Sequence, residues 1–95
     1  MQSQINFTLS FWVNATRIKK NQVSVYGRIT VNGKRANISL QRKVFLSEWD
    51  SRRGRAKGNK QESRILNRYL DQVKNRVYSA YDELIKKNIY LLSIY

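Results

Sequence analysis

The chain has 95 residues, of which 41% are hydrophobic, and its 19 Lys and Arg outnumber six Asp and Glu to give a formal charge of +13. This length fits one domain with a modest core, and the hydrophobic content excludes a wholly disordered basic tail. The chain has no Cys and no His. The absence of Cys excludes disulfides and thiolate metal sites, and the absence of His removes the commonest metal ligand and general base.

The positive charge is unevenly distributed. No acidic residue precedes Glu48, so the basic residues of the first half have no local counter-charge. Such a field destabilises a fold unless a partner of opposite sign compensates it. Nucleic acid is the leading candidate partner, ahead of an anionic membrane and an acidic protein. No signal peptide and no bilayer-spanning apolar run is recognisable, so we expect a cytoplasmic location.

The first predicted strand covers residues 6–14, where apolar and polar residues alternate with the period of a half-buried strand. Trp12 falls on the polar side, where it can stack on a sugar or base or pack against neighbouring Arg side chains. The apolar side of this first strand carries Phe7, Leu9, Phe11 and Val13. A polar, basic connection follows the strand.

The second predicted strand, residues 23–31, alternates in the same way and runs directly into Asn32-Gly33. This pair between two alternating runs predicts a β-hairpin with a type I′ turn, because both residues tolerate positive φ. A two-residue loop also predicts the register. The expected pairs are Val31 with Lys34, Thr30 with Arg35, Ile29 with Ala36, Arg28 with Asn37, Tyr26 with Ser39 and Ser24 with Gln41.

One face of this hairpin is apolar and the other is polar without any acid. Arg can bond to guanine, Asn and Gln to adenine, and a β-ribbon fits the major groove, whereas a merely solvated face normally mixes acids with bases. The expected DNA contacts on this face are Tyr26, Arg28, Thr30, Arg35, Asn37, Ser39 and Gln41. Phosphate contacts at the two ends of the strands are expected from Arg17, Lys19, Lys20 and Lys34.

The segment after the hairpin changes in character. Ser47 and Asp50 suggest a short capped turn, and Trp49 is the expected anchor to the core. Residues 52–60 combine basic side chains with Gly54 and predict a flexible basic loop. This loop suits non-specific attraction to a nucleic-acid backbone, and a solvated linker is the equally weighted alternative.

From about Glu62 onward, apolar residues recur at spacings of three and four, which predicts a long amphipathic helix. We therefore expect an α+β fold, a three-stranded antiparallel sheet packed against one C-terminal helix, over residues 1–88. The apolar end, residues 89–95, fits a helix extension, a further strand or the start of another unit. The expected core stripe is Leu66, Tyr69, Leu70, Val73, Val77, Ala80, Tyr81 and Leu84.

Catalysis finds little support in the residues. There is no His to act as a base, the six acids show no paired arrangement, and the glycines form no phosphate-binding motif. The chain alone is not expected to be an enzyme. No cofactor, metal or small-molecule substrate is expected either.

The segments "VNGKR", "KVFLSEWD" and "LNRYLD" together resemble the N-terminal arm-type DNA-binding domain of tyrosine recombinases. These are the integrases of phages and of conjugative transposons in Bacteroides-like bacteria. The resemblance covers roughly residues 5–88 and implies that the sheet enters the major groove of arm-type DNA sites. It also implies partners among other recombinase domains or protomers and a nucleoid-associated location.

In that family a separate C-terminal domain performs strand exchange with a tyrosine nucleophile. We expect this domain to be absent here, so no Tyr of this sequence is expected to take that role. Two alternatives stay open. One is an RNA-binding or ribosome-associated module, since a sheet with a helix is also a common RNA-binding design. The other is a basic module that meets acidic proteins or a membrane surface.

Overall fold

A computed structural model describes residues 6–94, with side chains for residues 6–86. Three strands form one antiparallel sheet in the order β1-β2-β3, two short strands form a separate hairpin, and one long helix follows. The predicted α+β class is confirmed. The elements are β1 (Phe7–Val13), β2 (Gln22–Val31), β3 (Lys34–Phe45), a 3₁₀ turn (Leu46–Glu48), β4 (Trp49–Asp50), β5 (Arg55–Ala56) and α1 (Gln61–Ile94).

β1 is an edge strand that pairs antiparallel with β2, from Phe7 opposite Val31 to Val13 opposite Val25. Its apolar side chains lie on the face that α1 covers. At the outer end of this face, the Phe7 ring stacks on Tyr81 of α1 with 4.1 Å between ring centroids. The helix therefore reaches the N-terminal end of β1, and the apolar side chains of β1 face it, which confirms the predicted alternation.

The β2–β3 hairpin turns at Asn32 and Gly33, which have φ of 50° and 86°. Both values are positive, as a type I′ turn requires. No atom lies within 4 Å of the place where a Cβ of Gly33 would sit, so backbone freedom rather than space favours glycine here. The predicted register is confirmed from Val31 opposite Lys34 to Tyr26 opposite Ser39.

Farther from the turn than the Tyr26–Ser39 pair, the predicted register is wrong. Ser24 lies opposite Lys43 and not Gln41, because the ladder shifts between Val25 and Tyr26. Leu40 and Gln41 are the extra residues of a β-bulge, and Gln41 has φ of 57°. A shift of two residues preserves the alternation of side chains between the two faces. Gln41 itself is displaced from the ladder.

The core lies between the sheet and the first part of α1. Leu70 is the central helix residue at 2% exposure, and it packs with Val23 and Val25 of β2, which are 1% and 0% exposed. The predicted anchor Trp49 is confirmed at 4% exposure. The other members of the buried cluster are Leu40, Val44, Ala56 and Leu66.

The C-terminal residues of the predicted core stripe of the helix are not buried. Ala80 is exposed and Leu84 is 59% exposed. At 1.5 Å per residue the 34 residues of α1 extend roughly 51 Å, whereas β1, with 7 residues, spans only about 24 Å. The helix therefore runs beyond the sheet. Its backbone continues to Ile94, so the end of the chain extends the helix, and Tyr95 lies outside the described residues.

The segment between sheet and helix is more regular than predicted. The predicted capped turn at Ser47 and Asp50 is wrong in its cap, since the 3₁₀ turn begins after Phe45 and has no side-chain cap. Asp50 Oδ1 instead accepts hydrogen bonds from the backbone N–H groups of Arg52 and Arg53, at 3.0 and 3.2 Å. The expected flexible loop is also wrong at its start, because β4 and β5 pair as a small hairpin.

Asn67 of α1 joins this small hairpin to the helix. Its Oδ1 accepts a hydrogen bond from the Ala56 N–H at 2.8 Å, and its Nδ2 donates to the Ala56 carbonyl oxygen at 3.1 Å. The amide of Asn67 thus pairs with β5 much as a neighbouring strand would. The contact is partly buried, so both backbone groups of Ala56 depend on it.

The Asn67→Ala variant is expected to lose about 1–3 kcal/mol of unfolding free energy, because it leaves a donor and an acceptor of Ala56 unpaired. Urea denaturation measures this as a lower midpoint at unchanged slope. Asn75→Ala, on an exposed position of the same helix, is the matched control and should change stability by less than about 0.5 kcal/mol. Equal stabilities of the two variants would contradict the role of Asn67.

No helix within residues 6–94 combines the length and apolar character needed to cross a bilayer.

Candidate nucleic-acid interface

The face of the sheet opposite α1 is a continuous polar surface, here called the polar face. The register aligns its side chains in three rows across the strands, and none of these nine residues is a carboxylate. The rows are Thr8, Thr30 and Arg35; Ser10, Arg28 and Asn37; and Trp12, Tyr26 and Ser39.

Arg28 occupies the centre of the polar face and is held in place from two sides. Its Nε donates a long hydrogen bond of 3.4 Å to Asn37 Oδ1. Its guanidinium carbon lies 4.9 Å from the centroid of the Trp12 ring, within the range of a cation–π contact. The Nη groups have no described partner, so Arg28 presents a positioned pair of donors to the outside.

Trp12 and Tyr26 form an aromatic pair beside Arg28. Their rings stack with 5.0 Å between centroids and an interplanar angle of 24°, a favourable offset arrangement. The pair gives the guanidinium a firm apolar support. The sequence predicts that Trp12 either stacks on a base or sugar or packs against the aliphatic stems of neighbouring Arg residues. Trp12 does contact a neighbouring Arg, through the guanidinium of Arg28, and stacking on a base or sugar stays a prediction.

Asn37 is engaged in the free protein. Bidentate recognition of adenine by an asparagine uses both its oxygen and its amide nitrogen. The Oδ1 of Asn37 already accepts one hydrogen bond from Arg28, and because an amide oxygen has two lone pairs, the second stays available to the amino group of adenine. In the arrangement of the structure, Asn37 offers its Nδ2 donors and Arg28 offers its Nη donors.

The predicted phosphate-binding lysines lie at opposite ends of the sheet, as expected. Lys20 and Asn21 have φ of 54° and 65°, and Lys19 and Gln22 exchange two backbone hydrogen bonds of 3.0 and 2.9 Å. The connection before β2 therefore ends in a tight two-residue turn that exposes Lys19 and Lys20. Arg17, in the same connection, is also exposed.

Gln41 is a predicted contact of the polar face that does not belong to it, and Lys34, predicted as a phosphate contact at the end of the strands, also lies off this face. Lys34 pairs with Val31, and alternation places both on the side of the sheet that faces the helix. Gln41 lies in the bulge. Sequence reasoning missed Lys43, whose partner Ser24 continues the polar face beyond the bulge. The signal for Lys43 was its even spacing from Asn37 and Ser39, since a two-residue bulge keeps the alternation.

Two further cations near the sheet, Arg42 and Lys60, are already engaged. The guanidinium carbon of Arg42 lies 4.0 Å from the centroid of the Tyr69 ring, on the helix side. Lys60 Nζ donates a 2.7 Å hydrogen bond to Glu48, and this bond, with the Glu48 charge, raises the pKa of Lys60 above its ordinary value. Neither side chain is part of the polar face.

Comparison with known protein families gives one match. A family model described as an arm DNA-binding domain matches residues 11–94 of the chain. Comparisons with curated proteins and with solved structures found no match. Arm-type domains are the DNA-binding modules of tyrosine recombinases, or integrases, and are not catalytic by themselves. The chain belongs to the arm DNA-binding domain family, and it binds DNA in the context of an integrase.

Proposed function

We propose that the polar face enters the major groove of duplex DNA, recognises base sequence there, and so positions an attached tyrosine recombinase on arm-type sites of a mobile element. The observation that carries this proposal is the set of nine polar and aromatic side chains, in three rows, that includes two arginines and no carboxylate. A face of this composition has a positive electrostatic field, and none of its own side chains is an acid that could compensate it.

The dimensions of the sheet suit the groove. Neighbouring strands lie about 4.8 Å apart, so the outer strands of the three-stranded sheet are separated by roughly 10 Å. The major groove of B-DNA is about 12 Å wide. The major groove of A-form RNA is deep and narrow, which argues against the same mode of binding to duplex RNA.

The chemistry of the side chains suits the edges of bases. Arg28 and Arg35 carry the planar fork that bonds to O6 and N7 of guanine. Thr8, Thr30 and Ser39 carry hydroxyl groups for phosphates or bases. Outside the polar face, the exposed Lys19 and Lys20 suit contacts to phosphates, which set position and affinity but carry no sequence information.

The proposal is tested by competition. The domain is bound to a short DNA duplex that it has enriched from a random-sequence library. Scrambled DNA of the same composition, an A-form RNA duplex and anionic lipid vesicles then compete. The selected duplex should be displaced only by much higher concentrations of the three competitors, and its log affinity should fall linearly with log salt.

RNA that competes as well as the selected duplex would favour an RNA-binding module. Vesicles that do so would favour the membrane surface. Scrambled DNA that competes equally would leave a DNA-binding domain without sequence recognition.

A further inference from the structure

The turn of the β4–β5 hairpin lies against β1, one of the two edge strands of the sheet. β1 pairs only with β2 in the described sheet. Gly54, in the turn of the hairpin, lies so near β1 that a Cβ built on it would be 2.9 Å from the carbonyl oxygen of Phe11. Its φ of 67° also favours glycine. The turn is therefore a fixed neighbour of β1.

Internal hydrogen bonds hold the turn in this shape. The Gly54 N–H donates to the Asp50 carbonyl oxygen at 2.8 Å, while the Asp50 side chain binds the backbone N–H groups of Arg52 and Arg53. Asn67 fastens β5 to the helix from the other side. Arg52 and Arg53 are thus exposed side chains on an ordered backbone.

A cleft of about 210 Å³ lies between the turn, β1 and α1, and its apolar wall is formed by Leu9, Phe11 and Leu70. Four cationic side chains line it, together with two serines, and the one carboxylate in its lining, Asp71, is paired with Arg55 at 3.8 Å. The hydroxyl and cationic side chains of the lining are Ser10, Ser51, Arg52, Arg53, Arg55 and Lys74. An excess of cations beside hydroxyl groups matches the chemistry of a phosphate group.

Ser10 connects this cleft to the polar face. Its partner across the strands is Arg28, so the cleft begins one strand, about 4.8 Å, from the centre of the polar face. When a protein element occupies the major groove, the phosphates lie along its two flanks, and contacts to them set the register of the protein. The cleft is at such a flank.

We propose that the cleft between the β4–β5 turn and β1 binds a phosphate group of the DNA backbone at one wall of the groove that the polar face enters. This inference rests on the proposed function. It gives the Arg52–Arg53 turn a defined role in positioning, where the sequence offered only non-specific attraction or a solvated linker. The Asp50–Arg53 contact is long, at 3.8 Å, and its Arg53 side chain is 79% exposed, so it does not compete strongly for the guanidinium.

The test compares two double variants that remove equal charge, R52A/R53A at the cleft and R64A/R68A on the exposed side of α1. Affinity is measured on the selected and on the scrambled duplex between about 50 and 200 mM salt. For R52A/R53A we expect equal fold losses on both duplexes and a log–log salt slope reduced by about 0.9, the value of one phosphate. R64A/R68A should keep the wild-type slope.

A second pair of variants tests the position of the turn without any change in charge. Gly54→Ala forces the turn away from Phe11, whereas a Cβ on Gly58, which also has positive φ, meets no atom within 4 Å. Both substitutions strain the backbone in a similar way. Gly54→Ala should lower the salt slope as R52A/R53A does, and Gly58→Ala should not.

An R52A/R53A slope equal to that of R64A/R68A would overturn the inference, and so would a wild-type slope for Gly54→Ala. Either result would leave the proposed function intact as long as the unaltered domain prefers the selected duplex. Failure of the unaltered domain to prefer that duplex is the separate result that removes the proposed function.

Discussion

Replacing Arg28 by alanine is expected to weaken binding to the selected duplex by about 1–3 kcal/mol, the usual discrimination of a bidentate arginine–guanine contact. Arg28 lies at the centre of the polar face, and Trp12 and Asn37 already hold it in position. Little side-chain entropy is then lost on binding. Fluorescence anisotropy on the selected and scrambled duplexes measures the effect, which should be much smaller on scrambled DNA.

Two variants show whether Arg28 acts through its shape or only through its charge. Arg28→Lys keeps the charge but loses the planar fork, so it should bind the selected duplex nearly as weakly as Arg28→Ala. Lys20→Ala removes a charge from the exposed turn before β2 and should weaken binding to all sequences alike. Full recovery in Arg28→Lys, or equal losses on both duplexes for Arg28→Ala, would contradict base recognition by Arg28.

Replacing Leu70 by alanine is expected to produce the largest loss of stability, about 2–5 kcal/mol of unfolding free energy. Leu70 is 2% exposed and joins the helix to the sheet core, so its removal leaves a cavity that its neighbours only partly fill. A domain of this size has a total stability of roughly 5–15 kcal/mol. Urea denaturation followed by circular dichroism should show a lower midpoint.

The same helix provides a matched control for this prediction. Leu84→Ala deletes the same atoms from a side chain that is 59% exposed, and alanine is at least as good a helix former as leucine. Its effect should stay within about 0.5 kcal/mol. If Leu84→Ala were as destabilising as Leu70→Ala, the Leu84 side chain would have to be buried, which contradicts its exposure in the structure.

Local patterns were sufficient to predict the half of the β2–β3 hairpin that is next to its turn. Asn32-Gly33 determines a turn with positive φ, and the alternation on either side then determines the pairs from Val31 to Tyr26. The acid-free polar face follows from the same register. These features depend on neighbouring residues alone, so a single sequence contains the information for them.

The missed features depend on contacts between distant segments. Gln41 adopts positive φ without being Gly or Asn, and no local signal marks it as a bulge. The position of the β4–β5 hairpin beside the helix depends on Asn67, which lies on the helix and binds both backbone groups of Ala56. The exposure of Leu84 depends on where β1 ends beneath α1. Such tertiary effects override local preference.

The chain contains two tryptophans, and they lie on opposite sides of the sheet. Trp12 belongs to the polar face, whereas Trp49 is buried in the core near the helix. Their indole N–H resonances give separate signals in a nitrogen–proton correlation spectrum. They therefore report which side of the sheet meets DNA.

The most direct test is a titration of the labelled domain with the selected duplex while both indole signals and the Arg28 Nε signal are followed. We predict that the signals of Trp12 and Arg28 shift with saturation and that the signal of Trp49 stays in place. A shift of Trp49 with the helix residues Arg64 and Arg68, while Trp12 and Arg28 remain unchanged, would contradict binding through the polar face.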